Sequence, residues 1–154
     1  MSMHEATIEW RRLTPDFEYS TYDRGHWLAF PGDIRMPGIA ARENIPPTAP
    51  HSAGIDPEQA FVASLSSCHM LWFLHLACRK KLVVDRYVDR ASGVLDKNAD
   101  GKPAMTRVML KPTVTFGGTQ PTADDVRALH ELAHEKCFIA NSVKTEVTVE
   151  PEFD

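Results

Sequence analysis

Positive charge is in short supply in this chain: 17 lysines and arginines against 21 aspartates and glutamates leave a formal net charge of -4. Such a balance offers no electrostatic footprint for a nucleic-acid backbone or an anionic membrane surface, so a small or neutral ligand is expected, not nucleic acid. The first ten residues, Met1 to Trp10, lack both the basic region and the apolar stretch of a secretory signal, which leads us to expect a cytoplasmic protein in a reducing compartment. Cysteine is scarce as well, three in 154 residues, and an odd number of thiols argues against a structural disulfide framework while allowing one reversible pair and a bystander. Internal repeats and low-complexity tracts are missing. The single long apolar run, Pro57 to Cys78, has the length of a membrane-spanning helix, but Glu58, Gln59, Ser64, Ser66, Ser67, His69 and His75 interrupt it. It therefore reads as the buried helix of a soluble fold, with no membrane partner.

What remains is a chain of 154 residues, 43% hydrophobic and 25% charged, long enough for one real core and short for two, so residues 1–154 are expected to form a single domain. Ala6, Ile8 and Trp10 alternate with polar neighbours as in a half-buried strand, and Phe17 to Phe30 reads as one or two further strands bent at Asp23-Arg24-Gly25, with Trp27 and Leu28 as core candidates. Five prolines and two glycines between Pro31 and Pro50 predict a long loop. Asp56, Pro57 and Gln59 form a helix start with a capping box, and Arg79-Lys80-Lys81 place three cations at the other end. Val83 to Leu95 and Met105 to Phe116 read as a hairpin around the turn Lys97 to Lys102. Thr122 to Asp125 opens a second helix whose stripe Val126, Leu129, Ala133 and Cys137 points inward, and Val143 to Glu150 alternates as a last strand. The sum is an α+β fold with helices against antiparallel sheet.

Two thiols stand out because each is carried on a core helix, Cys68 in the middle of the apolar run and Cys137 at the end of the amphipathic one. Buried cysteine is usually a small hydrophobe, but two thiols delivered by two helices can meet and exchange electrons. Cys78, ten residues beyond Cys68, is about 15 Å further along the same helix and cannot pair with it. Cys137 is the one candidate partner for either, and Cys78 reads as a packing thiol. His69 diverges from its neighbour Cys68 by about 100° and His75 lies two turns away, so both read as core or interface residues rather than bases for the thiol. His130-Glu-Leu-Ala-His134 matches the H-E-x-x-H pattern of zinc hydrolases, with His130, Glu131 and His134 as its chemistry, yet no third ligand follows; both histidines fit equally as partly exposed residues flanking the apolar stripe. A reactive thiolate needs a nearby cation, which in an apolar setting needs a carboxylate, and Glu58 is available. It lies about 15 Å from Cys68 along one helix, so an arginine must span the gap or a second chain must donate the glutamate.

Gly54-Ile-Asp-Pro-Glu-Gln-Ala-Phe61 with Ser64-Leu-Ser-Ser-Cys68, and Cys137-Phe-Ile-Ala-Asn-Ser-Val-Lys144, together resemble the two cysteine blocks of the OsmC/Ohr peroxiredoxin-like proteins, thiol-dependent hydroperoxide reductases of bacteria. The resemblance implies an OsmC-like fold, antiparallel sheets packed around two central helices in an intertwined homodimer. It implies Cys68 as peroxidatic and Cys137 as resolving cysteine, an organic hydroperoxide as substrate, and an external dithiol reductant, in some relatives a lipoylated protein. It implies no metal or organic cofactor. Phe61, Leu65, Trp72 and Phe138 would form the apolar surroundings, Glu58 and Arg24 the charge pair, with Arg35 and Arg42 as alternative arginines. A non-catalytic dimer that binds a hydrophobic small molecule is the alternative of another class, and the zinc hydrolase stands third.

Overall fold

The computed structural model of the protein describes residues 1–153. The chain divides into two compact units, Met1–Ala60 and the residues from Phe61 onward, with the boundary in the first turn of a long helix.

In the first unit, β1 (Thr7–Glu9), β2 (His26–Phe30) and β3 (Ile34–Gly38) form an antiparallel sheet in that order, with Thr7 opposite Ala29 and Trp27 opposite Pro37. The strand expected from Phe17 begins only at His26. The preceding residues instead turn on Glu18, whose carbonyl accepts from the amides of Thr21 and Tyr22, and pack Trp10, Phe17 and Tyr22 into an aromatic cluster. Trp27, expected in the core, is exposed on the sheet face under the Arg35 guanidinium. The segment predicted as a loop is more ordered than its prolines suggest. Pro37 sits in β3, an edge strand where a missing N–H costs no ladder bond, and a 3-10 turn (Arg42–Asn44) follows, with Ile39, Ile45 and Ala49 buried together. Ile55 then returns to β3, its amide donating to the Pro37 carbonyl and its carbonyl accepting from Ile39. Gly54 allows that approach, since a Cβ there would lie 2.9 Å from the Gly38 carbonyl carbon.

Helix α1 (Pro57–Arg79) starts where the sequence says it should: Asp56 Oδ1 accepts from the Gln59 amide at 2.7 Å and Gln59 Oε1 from the Asp56 amide at 3.1 Å. It ends in a left-handed Lys81, φ 60°, with the Leu82 amide bonded back to Ala77.

Beyond it, the two long strands expected from the sequence each break in two, giving β4 (Val83–Asp89), β5 (Ser92–Lys97), β6 (Pro103–Leu110) and β7 (Pro112–Gly117). The tips pair as the predicted hairpin, β5 with β6, closed by Asn98 Oδ1 accepting from the Asp100 and Lys102 amides. The roots pair separately, β4 with β7. Asp89 fixes the corner between them: one carboxylate oxygen accepts from the Lys111 amide and the other from the Ser66 hydroxyl on α1. Helix α2 (Ala123–Lys136) begins in a full capping box of Thr122 with Asp125. The last strand, β8 (Glu146–Val149), is shorter than predicted and pairs parallel with β6, so the sheet order β5-β6-β8 is mixed rather than wholly antiparallel.

Leu65, His69, Phe73 and Ala77, four residues apart, are the buried stripe of α1. Phe73 and Ala77 pack on Val126, Leu129 and Ala133 of α2 and on Val84, Val114 and Phe116 of the β4–β7 pair. Leu65 packs on Val108 and Leu110, with Val147 and Val149 beside them. The outward face of α1 is mixed, with Gln59, Ser64, Ser67 and His75 exposed beside Ala63 and Leu71, the last at 60% exposure.

The cap on α2 yields a direct test. Thr122→Ala removes the acceptor for the Asp125 amide, and urea unfolding should report a loss of about 1 kcal/mol; an unmoved midpoint would show that the box contributes nothing.

Candidate functional site

Cys68 lies one position before the buried His69, so its side chain leaves α1 about 100° away from the core stripe and is half-buried. Cys137 terminates α2. Its backbone is extended, φ -65° and ψ 112°, its amide still bonds the His134 carbonyl, and its sulfur accepts from the Ala140 amide at 3.5 Å. This turn folds the second thiol inward to 1% exposure, as the helical spacing predicted. The two thiols are free, and Cys68 lies near enough to Cys137 to act on its titration. Burial first, and the neighbouring Cys68 thiol second, push the Cys137 thiol up to about 11, against the opposing pull of the Ala140 and Ile139 amides. Cys137 is therefore protonated at neutral pH, the concealed member of an unequal pair.

The surroundings are partly those expected. Trp72, one turn beyond Cys68, meets Phe138, the residue after Cys137, edge to face at 5.4 Å. Phe61 lies against the cluster centred on the fully buried Leu65. Sequence reading missed Lys136, whose ammonium lies 6.0 Å from the Trp72 ring centre. Cys78, expected as a packing thiol, is exposed at the last turn of α1.

The charged candidates belong to the first unit. Arg24 is 7% exposed, whereas Arg35 and Arg42 lie at the surface. Its guanidinium stacks 3.8 Å from the Tyr22 ring centre and donates to the Tyr19 and Tyr22 carbonyls. Arg35 pairs with Glu9 at 3.2 Å. Glu58 has one carboxylate oxygen, Oε2, buried without a hydrogen-bond partner among the described residues, and it makes no ion pair with Arg24 there. Each half of the expected charge pair is formed and neither meets the other.

The H-E-x-x-H segment does something other than its pattern suggests. His130, expected at the margin of the apolar stripe, is 2% exposed. Its ring lies parallel to that of His69, centroids 5.2 Å apart at an interplanar angle of 6°, with His130 Nδ1 and His69 Nε2 at 2.9 Å, and it stacks on Phe73 at 4.2 Å. Its other nitrogen, Nε2, has no partner among the described residues. Nowhere among those residues do three His, Cys, Asp or Glu side chains gather as a metal would need, so the zinc-hydrolase reading has no site. The signal missed was that His69 and His130 both fall on buried stripes, four residues from Phe73 and four from Val126 respectively.

The family model for OsmC-like protein matches residues 50–152. The chain belongs to that family. An OsmC-like protein of unknown function from Vibrio cholerae is 44% identical, with a TM-score of 0.93 over 99% of this chain and 100% of that one. The organic hydroperoxide resistance protein OhrB of Bacillus subtilis shares the fold at 18% identity, TM-score 0.66, over 99% of this chain and 98% of that one. An organic hydroperoxide resistance protein OsmC from Legionella pneumophila does so at 16% identity and TM-score 0.69, over 100% and 98%. Among curated proteins nothing matches. The α+β, OsmC-like architecture read from the two cysteine blocks is thus the fold of the OsmC-like chain.

The two buried imidazoles give this fold a pH signature. Burial, reinforced on His69 by His134 and on His130 by His69, lowers His69 from 6.5 to about 4 and His130 from 6.5 to about 3. Both are neutral when folded and take up protons near pH 6.5 when unfolded, so their contribution is complete above pH 6.5 and declines as pH falls toward the folded values. Urea unfolding should show about 3 to 4 kcal/mol less stability at pH 5 than at pH 7. In a His69→Leu, His130→Phe double variant that difference should largely vanish; an equal loss would place the sensitivity elsewhere.

Proposed function

We propose that this OsmC-like protein is a thiol-dependent peroxidase that reduces organic hydroperoxides to alcohols, with Cys68 as nucleophile and Cys137 as resolver. The observation that carries the reading is the nearness of a half-buried thiol, Cys68, to a buried, protonated one, Cys137. Cys68, as thiolate, attacks the distal oxygen of the hydroperoxide; the O–O bond breaks, the alkoxide leaves and takes a proton as the alcohol, and Cys68 becomes a sulfenic acid. The Cys137 thiol then attacks that sulfur, expelling hydroxide that leaves as water, and an S–S bond forms. Two exchange steps with an external dithiol, possible for a lipoylated protein, return both cysteines to thiols and oxidise the dithiol. Cys137 remains protonated until the sulfenic acid exists, which keeps it from competing for the peroxide. The aromatic edge of Trp72 and Phe138 favours an apolar organic substituent over hydrogen peroxide.

In this reading Arg24 is the cation that stabilises the Cys68 thiolate and Glu58 is its counter-charge, joined when two chains assemble as a homodimer. Supporting this, Glu58 holds a buried acceptor without a donor, and Arg24 is the one buried arginine of the three candidates. Much of α1 is left uncovered, Leu71 included, and a partner surface would bury it: only 22% of its most apolar stretch is buried within the chain. A cytoplasmic setting would keep the thiols reduced between turnovers.

Intact-mass analysis after one equivalent of cumene hydroperoxide tests the chemistry. Wild type should lose two hydrogens, Cys137→Ala should gain one oxygen on Cys68, and Cys68→Ser should remain unchanged. An oxygen found on Cys78 would assign the wrong nucleophile, and an unmodified wild type would favour the non-catalytic binder of hydrophobic molecules. Arg24→Ala should slow Cys68 oxidation about a hundredfold in stopped flow, as loss of a charge stabiliser does; an unchanged rate would remove the arginine from the site.

A further inference from the structure

Side chains alternate across β2, so His26 shares a face with Leu28, which stands opposite Ile8 and Met36, while Trp27 lies on the other. On that face a cavity of about 450 Å³ opens within the first unit. Arg24 and His26 are the basic residues of its lining, and the rest, Ile8, Trp10, Phe17 and Tyr22 among them, is aliphatic and aromatic. The two basic residues are tied together. His26 Nδ1 lies 2.9 Å from the Arg24 carbonyl oxygen. A carbonyl only accepts, so Nδ1 carries the hydrogen, and in the neutral ring Nε2 holds the free lone pair. Nε2 has no hydrogen-bond partner among the described residues and, unlike Nε2 of His130, is not closed to solvent. Gly38 leaves it room, since a Cβ there would collide with the imidazole. Arg24 is fixed in turn, its guanidinium donating to the Tyr19 and Tyr22 carbonyls. Wherever Arg24 is presented, an oriented proton acceptor comes with it.

We propose that His26 is the proton shuttle of the thiol site, its Nε2 taking the proton of the Cys68 thiol and returning it to the departing alkoxide. This role rests on the peroxidase reading, in which Arg24 meets the Cys68 thiolate as two chains assemble. A thiol that receives Arg24 receives the wall Arg24 belongs to, and His26 with it. His69, the neighbour of Cys68 in sequence, is already committed to His130. Transfer of the proton from Sγ to Nε2 leaves a thiolate beside an imidazolium. The thiolate attacks the distal peroxide oxygen, the S–O bond forms as the O–O bond breaks, and the two electrons given up by sulfur reduce the peroxide. The imidazolium then gives its Nε2 proton to the alkoxide, so the alcohol departs neutral and His26 returns to its starting state. One proton makes the whole circuit, and no reactant beyond thiol and hydroperoxide enters.

Two oxidants with different leaving groups separate a shuttle from a structural residue. Both need the Cys68 thiolate, so any loss at that step cancels in their ratio. Cumene hydroperoxide expels an alkoxide that needs a proton, whereas peracetic acid expels acetate, which does not. His26→Asn keeps an N–H at the place of Nδ1, and with it the bond to the Arg24 carbonyl, but ends short of Nε2. In stopped flow at pH 7, this variant should lose at least about a hundredfold more rate with cumene hydroperoxide than with peracetic acid, the lower range for a general acid. No change with either oxidant, or an equal loss with both, would overturn the shuttle and leave the peroxidase standing. A wild type that neither oxidant attacks would overturn the peroxidase, and the shuttle with it. If His26→Asn does not fold, His26→Gln, which has no titratable atom, carries the same comparison with the same outcomes.

Discussion

The nearness of the Cys68 and Cys137 thiols is the constraint on which any disulfide chemistry of this chain depends, because a thiol without a partner can be oxidised but cannot be reset as a disulfide. Three local features create it. The four-residue stripe Leu65, His69, Phe73, Ala77 orients α1 so that Cys68 leaves the helix beside the core and not within it. The packing of Phe73 and Ala77 on Leu129 and Ala133 sets α1 against α2. Finally α2 stops at Lys136, and the extended Cys137 turns its side chain back under the Ala140 amide. Had α2 continued helically by one residue, Cys137 would have stayed on the Ala133 stripe without the amide that seats its sulfur.

The pair is unequal in a useful sense. Cys137 is buried and protonated, whereas Cys68 is only half-buried. Nearby polar chemistry is arranged differently: His69 and His130 are neutral in the core and satisfy one another on one side each, leaving their outer nitrogens unpartnered among the described residues. The same chain thus holds two polar pairs on its two helices, one of sulfur and one of imidazole, separated by the helical offset between positions 68 and 69.

Much of the fold was legible because local chemistry was strong where it mattered. Asp56 with Gln59 and Thr122 with Asp125 are capping boxes in the sequence and capping boxes in the structure. The failures have physical reasons as well. Val83 to Leu95 reads as one strand because nothing in its side chains reveals that Asp89 will bond the Lys111 amide and the Ser66 hydroxyl and so bend the ladder. Pro37 argues against a strand only if the strand is central, and edge position is decided by neighbours. His130 followed a metal-site pattern, but the pattern records spacing along one helix, whereas its actual partner is 61 residues away on another.

By itself, the sequence determined the helix starts, the hairpin turn, the inward stripe ending at Cys137 and the two cysteine blocks that place the chain in the OsmC-like family. These are written in contiguous residues, where capping, periodicity and turn preference act over a few positions. Tertiary structure alone decided that β8 runs parallel to β6, that His69 answers His130, that Cys78 faces outward and that Arg24 is held by aromatic rings and carbonyls. Each of those depends on which surfaces meet once the elements are packed, and the free energy of that choice resides in burial shared between distant segments.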